Sequence, residues 1–262
     1  MEPFLILLWG GVMLAAAVPS PRTVTLNWLR LAGIIALSCA GVGLFVMGRE
    51  IPSVSMTAWV LCGGAAAAVM LELAASQTGK LAATRVCAVA GGLLSIGAAY
   101  ALVRPASLAA MADARVNPIG PEWLWLAVSL VGVAAMSGLV LMTMLIGHAY
   151  LTESNLTMAP FRRLNGTLAA CMIVRAVVAV GATMLMVELR PIEGFWLRWG
   201  FNIFVRWFVG LLVPGVFVYM AHDCIKRRSN QSATGILYVA SVLIFIGEIC
   251  ALSLVTATGL PF

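Results

Sequence analysis

Eight apolar runs follow one another along the chain, at residues 4–18, 28–47, 54–75, 82–103, 123–150, 164–187, 201–221 and 235–260. Between them lie short polar or turn-forming stretches such as Pro19-Ser20-Pro21, Gly48-Arg49-Glu50-Ile51-Pro52-Ser53 and Ser76-Gln77-Thr78-Gly79-Lys80. About 20 apolar residues at ~1.5 Å each cross a hydrocarbon core of ~30 Å, so each run predicts a membrane-spanning helix. The longest connection, residues 104–121, holds Pro105, Pro118, Gly120 and Pro121. Its middle, 108–116, is expected to lie in the interface as a short helix, and 192–199 is expected to do the same. The first run has no basic stretch before it and a second run follows at once, so it is read as a retained helix rather than a cleaved leader. The pattern predicts an all-α integral membrane protein, a bundle of about eight transmembrane helices with short loops, forming one domain over residues 1–262.

Composition sharpens this. Sixty-two per cent of the 262 residues are hydrophobic and only 10% are charged, against roughly 25% charged in a soluble domain. The mean hydropathy is +1.03. Lipid is the solvent such a surface requires. The net charge of +6 does not indicate nucleic acid, because the basic residues sit in short loops and form no stripe with interleaved aromatics. They report orientation instead. Arg22, Lys80, Arg162, Arg163, Lys226, Arg227 and Arg228 follow odd-numbered runs, while even-numbered runs are followed by Arg49, Arg104, Arg115, Arg190 and Arg198. The larger basic count belongs on the cytoplasmic side, so both termini are expected on the non-cytoplasmic side. Trp59, Trp123, Trp125, Trp196 and Trp199 stand where odd-numbered runs begin, as an aromatic belt would.

Small residues are frequent inside the runs (Gly63 to Ala68, Gly91-Gly92, Gly97-Ala98-Ala99, Gly132, Gly138) and predict close helix packing. The six cysteines form no C-x-x-C pair and are read as small apolar packing residues.

Ionisable groups at membrane depth are costly and therefore few. Arg175 lies ~16 Å into the sixth run, Arg206 ~8 Å into the seventh, and Glu248 ~21 Å from the other end of the eighth, close to the level of Arg206. Asn202 shares a face with Arg206, and Gly210 and Pro214 continue that face, predicting close packing and a kink. Glu72 sits near the end of the third run. These five residues, Arg175, Asn202, Arg206, Glu248 and Glu72, are the candidates for a polar pocket that takes a quinone head group, an anion or a proton. An ion pair between Arg206 and Glu248 that only fastens two helices is the competing reading.

His148 and His222, the two histidines, end odd-numbered runs at one depth, and neutral imidazoles so placed are candidate axial ligands of one b-type haem. Two histidines cannot hold two bis-histidine haems. No G-x-x-x-x-G-K-[ST], H-E-x-x-H or G-x-S-x-G occurs. Two aspartates, Asp113 and Asp223, do not make a paired magnesium cluster. The leading expectation is an integral subunit of an electron-transfer or respiratory-type complex, embedded in lipid, binding quinone or haem b and contacting partner subunits. A transporter or channel for a small solute or ion is the alternative, followed by a membrane scaffold or assembly protein with structural charge pairs.

Overall fold

The computed structural model describes residues 2–19, 24, 26–49, 54–114, 122–152, 157–189 and 195–262. The described chain is helical: α1 (Glu2–Ala16), α2 (Leu26–Gly48), α3 (Met56–Gln77), α4 (Leu81–Ala114), α5 (Glu122–Thr152), α6 (Ala159–Leu189), α7 (Phe195–Phe204), a π-helical stretch (Val205–Leu212), α8 (Val213–Lys226) and α9 (Asn230–Thr258). The segment α7–π–α8 runs without a break and forms one span. Seven helices are long and apolar enough to cross a membrane.

The first apolar run behaves differently from the rest. α1 has 15 residues, ~22 Å of helix, short of the ~30 Å a span needs. Phe4, Ile6, Leu7, Leu8, Trp9, Val12, Met13 and Ala15 are all buried, so α1 is apolar on every side because protein surrounds it on every side. It packs against α2, α4 and α5 at the centre of the molecule. Gly11 and Gly138 let the backbones of α1 and α5 touch: a Cβ on either would collide with the other's backbone. The outer helices instead present large apolar side chains outward, including Phe45, Leu71, Val86, Val177 and Phe201, as surfaces in contact with lipid do.

Two interfacial helices were expected and the structure alters both. α4 continues through Pro105 to Ala114 as one helix of 34 residues, so residues 108–114 extend a span; 115 and 116 lie outside the described residues. From Phe195 onward the chain is already helix leading into the sixth of the seven spans, while 190–194 lie outside the described residues.

α3 and α4 form an antiparallel hairpin, with Leu61 against Gly97, Leu94 against Gly64 and Ala68 against Gly91. The second half of the molecule is a ring of four elements. α5 packs on α6 and α9, and α8 packs on α6 and α9, whereas the diagonal pairs α5–α8 and α6–α9 share no extensive contact. What fills the middle of that ring is the candidate site.

Candidate functional site

Arg175 of α6, Arg206 of the π-helical stretch and Glu248 of α9 meet in the interior of the ring. One carboxylate oxygen of Glu248 accepts from Arg175 Nη2 at 2.8 Å, and the other from Arg206 Nη1 at 2.7 Å. All three side chains are buried, Arg206 and Glu248 completely. The Arg175–Glu248 bridge spans the diagonal between α6 and α9. Their backbones stand apart, and the reach of the arginine side chain closes the gap. The sequence places Arg206 opposite Glu248 with Arg175 as the runner-up; in the structure Glu248 engages both at once.

Local chemistry explains why Arg206 arrives there. Pro214 has no N–H to give to the carbonyl four residues back, and its ring crowds that carbonyl, which belongs to Gly210. The backbone widens over the preceding turns into i→i+5 bonding, as in Val213 N–H to Phe208 O. Such π-helical turns bulge a helix locally and turn chosen side chains inward. Val205, Arg206, Gly210 and Leu211 form the buried face. Gly210 then meets Gly247 of α9 backbone to backbone: a Cβ on Gly210 would lie 2.5 Å from Gly247 Cα. The missing side chains draw the two elements together one residue from Glu248 and four from Arg206. On the α5 side, Gly132 leaves room for Arg175; a Cβ there would lie 2.7 Å from Arg175 Nε.

The triad is not neutral. Two guanidiniums face one carboxylate, leaving a net positive charge in a medium of low dielectric. Arg175 Nε and Nη1 and Arg206 Nε and Nη2 are buried with no acceptor among the described residues. Unsatisfied buried donors cost ~1–3 kcal/mol each, and more when charged. The cluster is therefore chemically complete only with an added acceptor, such as a carbonyl, an anionic oxygen or water.

A groove of about 480 Å³ lies on the seam between α6 and the π–α8 segment, lined almost entirely by apolar side chains. Met172 and Ala176, which flank Arg175 along α6, form one wall, and Trp207, Leu211 and Tyr219 form the other. Trp207, next to Arg206 in sequence, donates its indole N–H to Thr183 Oγ1 at 3.3 Å. The groove thus lies on the same two elements as the two arginines, and none of the three charged side chains lines it.

The other sequence candidates lie elsewhere. Asn202 is half-buried on α7, one turn before Arg206. Glu72 is buried on α3, which packs on α4 and α2 and not in the four-element ring, so it does not share a pocket with the triad. His148 and His222 do lie at one level, since Gly147 meets Phe161 and Thr234, and Asn165 of α6 donates to Val218 O. They stand on α5 and α8, a diagonal of the ring, and His148 is exposed. Among the described residues no group of three or more His, Cys, Asp or Glu gathers as metal ligands would.

Sequence reading missed Gly247, Thr183 and Asn165, and named Gly132 only as a packing residue. Asn165 had a signal: with Phe161, Leu168, Met172, Arg175, Ala179 and Ala182 it forms the inward stripe of α6 at three- and four-residue spacing. In comparisons with models of protein families, with characterised proteins and with solved structures, the chain matches none.

Proposed function

We propose that this chain is an integral membrane subunit of an electron-transfer complex that binds a quinone, with the head group at Arg175, Arg206 and Glu248 and the isoprenoid tail in the α6/α8 groove. The observation that supports it is that the elements carrying four guanidinium nitrogens without a partner among the described residues also line an apolar groove, through Met172, Ala176 and Trp207. A quinone combines those needs in one molecule. Its carbonyl oxygens accept from N–H groups, and its tail is hydrocarbon. Ligand sites are commonly apolar clefts with a few convergent polar groups. The two electrons for reduction come, in this reading, from a partner subunit. Haem b at His148 and His222 has only their common level in its favour, and the exposed His148 would put the macrocycle at the rim of the bundle.

The net positive charge of the triad favours a second reading, passage of an anionic solute through the ring. A scaffold held by structural charges is the third. One experiment separates them. Quinones quench indole fluorescence, and Trp207 lines the groove. Titration of the detergent-solubilised protein with a short-chain ubiquinone is expected to quench part of its emission saturably. Trp207→Phe should remove that saturable part, and Arg175→Gln should weaken the apparent affinity about tenfold, the effect of losing one hydrogen bond of ~1.4 kcal/mol. Quenching that is linear in quinone and indifferent to both substitutions would refute the quinone reading. Anion uptake into proteoliposomes, abolished by Arg206→Gln, would establish the second.

A further inference from the structure

Glu72 is a second carboxyl at membrane depth, and its surroundings are the reverse of those of Glu248. It is 1% exposed, and its Oε2 has no hydrogen-bond partner among the described residues. Continuing the α3–α4 register one turn beyond Ala68 and Gly91 sets Glu72 level with Cys87 and Ala88. α1 runs antiparallel to α4, with Gly10 beside Ser95 and Met13 beside Gly91, so α1 ends at the same level, around Ala17.

Among the described residues the charged and titratable groups near this level can be named element by element; Arg22, in the α1–α2 connection, lies outside them. α4 contributes Arg85 and Cys87. α2 contributes Arg30, about a turn nearer the helix end by the register of Gly33 against Leu73. The α3–α4 connection contributes Lys80, and the last turn of α1 carries none. Arg30, Lys80 and Arg85 are exposed. The Arg85 guanidinium is occupied with the carbonyls that α1 leaves open, donating to Ala17 O at 3.1 Å and to Pro19 O at 3.0 Å. The ion pairs among the described residues are Arg175–Glu248, Arg206–Glu248 and Arg227–Asp223, so none reaches Glu72. The carbonyl end of α1 carries partial negative charge, which disfavours a carboxylate further. Burying a carboxylate without a counter-charge is costly, and taking up a proton removes that cost.

We propose that Glu72 is a proton-binding site that exchanges its proton with the aqueous face at the α3–α4 connection. Binding forms one O–H bond on the carboxylate and breaks it on release; no other bond changes. The route is short. Glu72 lies ~8 Å from the end of α3 at 1.5 Å per residue. The hydroxyls of Ser76 and Thr84, both buried, stand between it and the connection on the two facing helices. Their hydrogens are held by the carbonyls of Leu73 and Lys80, which leaves oxygen lone pairs free to accept. The proposal stands apart from the quinone reading, because it uses none of the same residues.

Infrared spectroscopy of the full chain in lipid tests it, because a protonated carboxyl absorbs above the amide region. Glu72→Gln should remove one such band, and Glu248→Gln should remove none. The band should fade as bulk pH is raised and return when it is lowered. Dicyclohexylcarbodiimide, which reaches protonated carboxyls from the lipid phase, should add to Glu72 and spare the ion-paired Glu248. A spectrum unchanged by Glu72→Gln would overturn the proposal, as would an adduct on Glu248 in place of Glu72. A band indifferent to bulk pH would overturn the exchange.

Discussion

Gly210 and Gly247 each occupy the space where the other's Cβ would stand, and this contact holds the last two spans at the distance the Arg206–Glu248 bridge requires. The charges alone do not set that distance; two absent methyl groups do. Gly247→Ala or Gly210→Ala should therefore force the backbones apart and destabilise the protein by about 1–3 kcal/mol, the usual cost of overpacking. Thermal unfolding in detergent measures it. Gly166→Ala and Gly41→Ala are controls, since a Cβ at either meets nothing within 4 Å, and neither should lower stability.

The triad predicts an order among charge variants. Glu248→Gln leaves two buried guanidiniums without a counter-charge and should lower folded yield most, by about 3–5 kcal/mol of stability. Arg175→Gln or Arg206→Gln leaves a one-to-one pair and should be milder. Joint replacement of Arg206 and Glu248 still strands Arg175, so it should rescue little. Replacing all three should recover much of the loss. Fluorescence-detected size-exclusion of the variants reads the order, and a Glu248→Gln variant as stable as the parent would contradict it.

Arg85 closes the carbonyl end of α1 from α4. Arg85→Gln should lower stability by about 0.5–1.5 kcal/mol, the usual worth of such hydrogen bonds. Hydrogen exchange at the last turn of α1 should quicken with it. Unchanged exchange there would show that the cap contributes nothing.

The basic bias of the loops predicts on which side the α8–α9 connection lies. Ser229 is exposed there, beside Lys226, Arg227 and Arg228. With the reactive cysteines removed, Ser229→Cys should be labelled by an impermeant maleimide only from the cytoplasmic side. Ala106→Cys, exposed near the opposite end of the membrane on α4, should be labelled only from outside. The reverse pattern would invert the orientation.

Depth was legible in the sequence, and position around the bundle was not. Helical rise is constant, so counting residues placed Arg206 level with Glu248 and His148 level with His222. Counting says nothing about which way a helix turns or which neighbours it has. Arg206 and Glu248 proved to face each other, while the two histidines stand on a diagonal. Glu72 was grouped with the arginines on charge alone and lies among other helices. The participation of Arg175 depends on α6 standing across the ring from α9 with Gly132 of α5 leaving room for its guanidinium, and the sequence named Gly132 for packing without saying against what. The sequence predicts a disturbance of the helix at Pro214, and the structure shows its form, a π-helical stretch over Val205–Leu212.

The shortness of α1 has a consequence for biogenesis. A helix of ~22 Å that leaves the ribosome before its partners is a poor resident of a ~30 Å bilayer. The partners that enclose it, α4 and α5, are synthesised only from residue 81 and from residue 122 onward. Until then α1 requires shelter at the insertion machinery or a bilayer thinned around it. The centre of the finished bundle is thus made before the helices that enclose it, and maturation of this half waits on synthesis of the fifth helix.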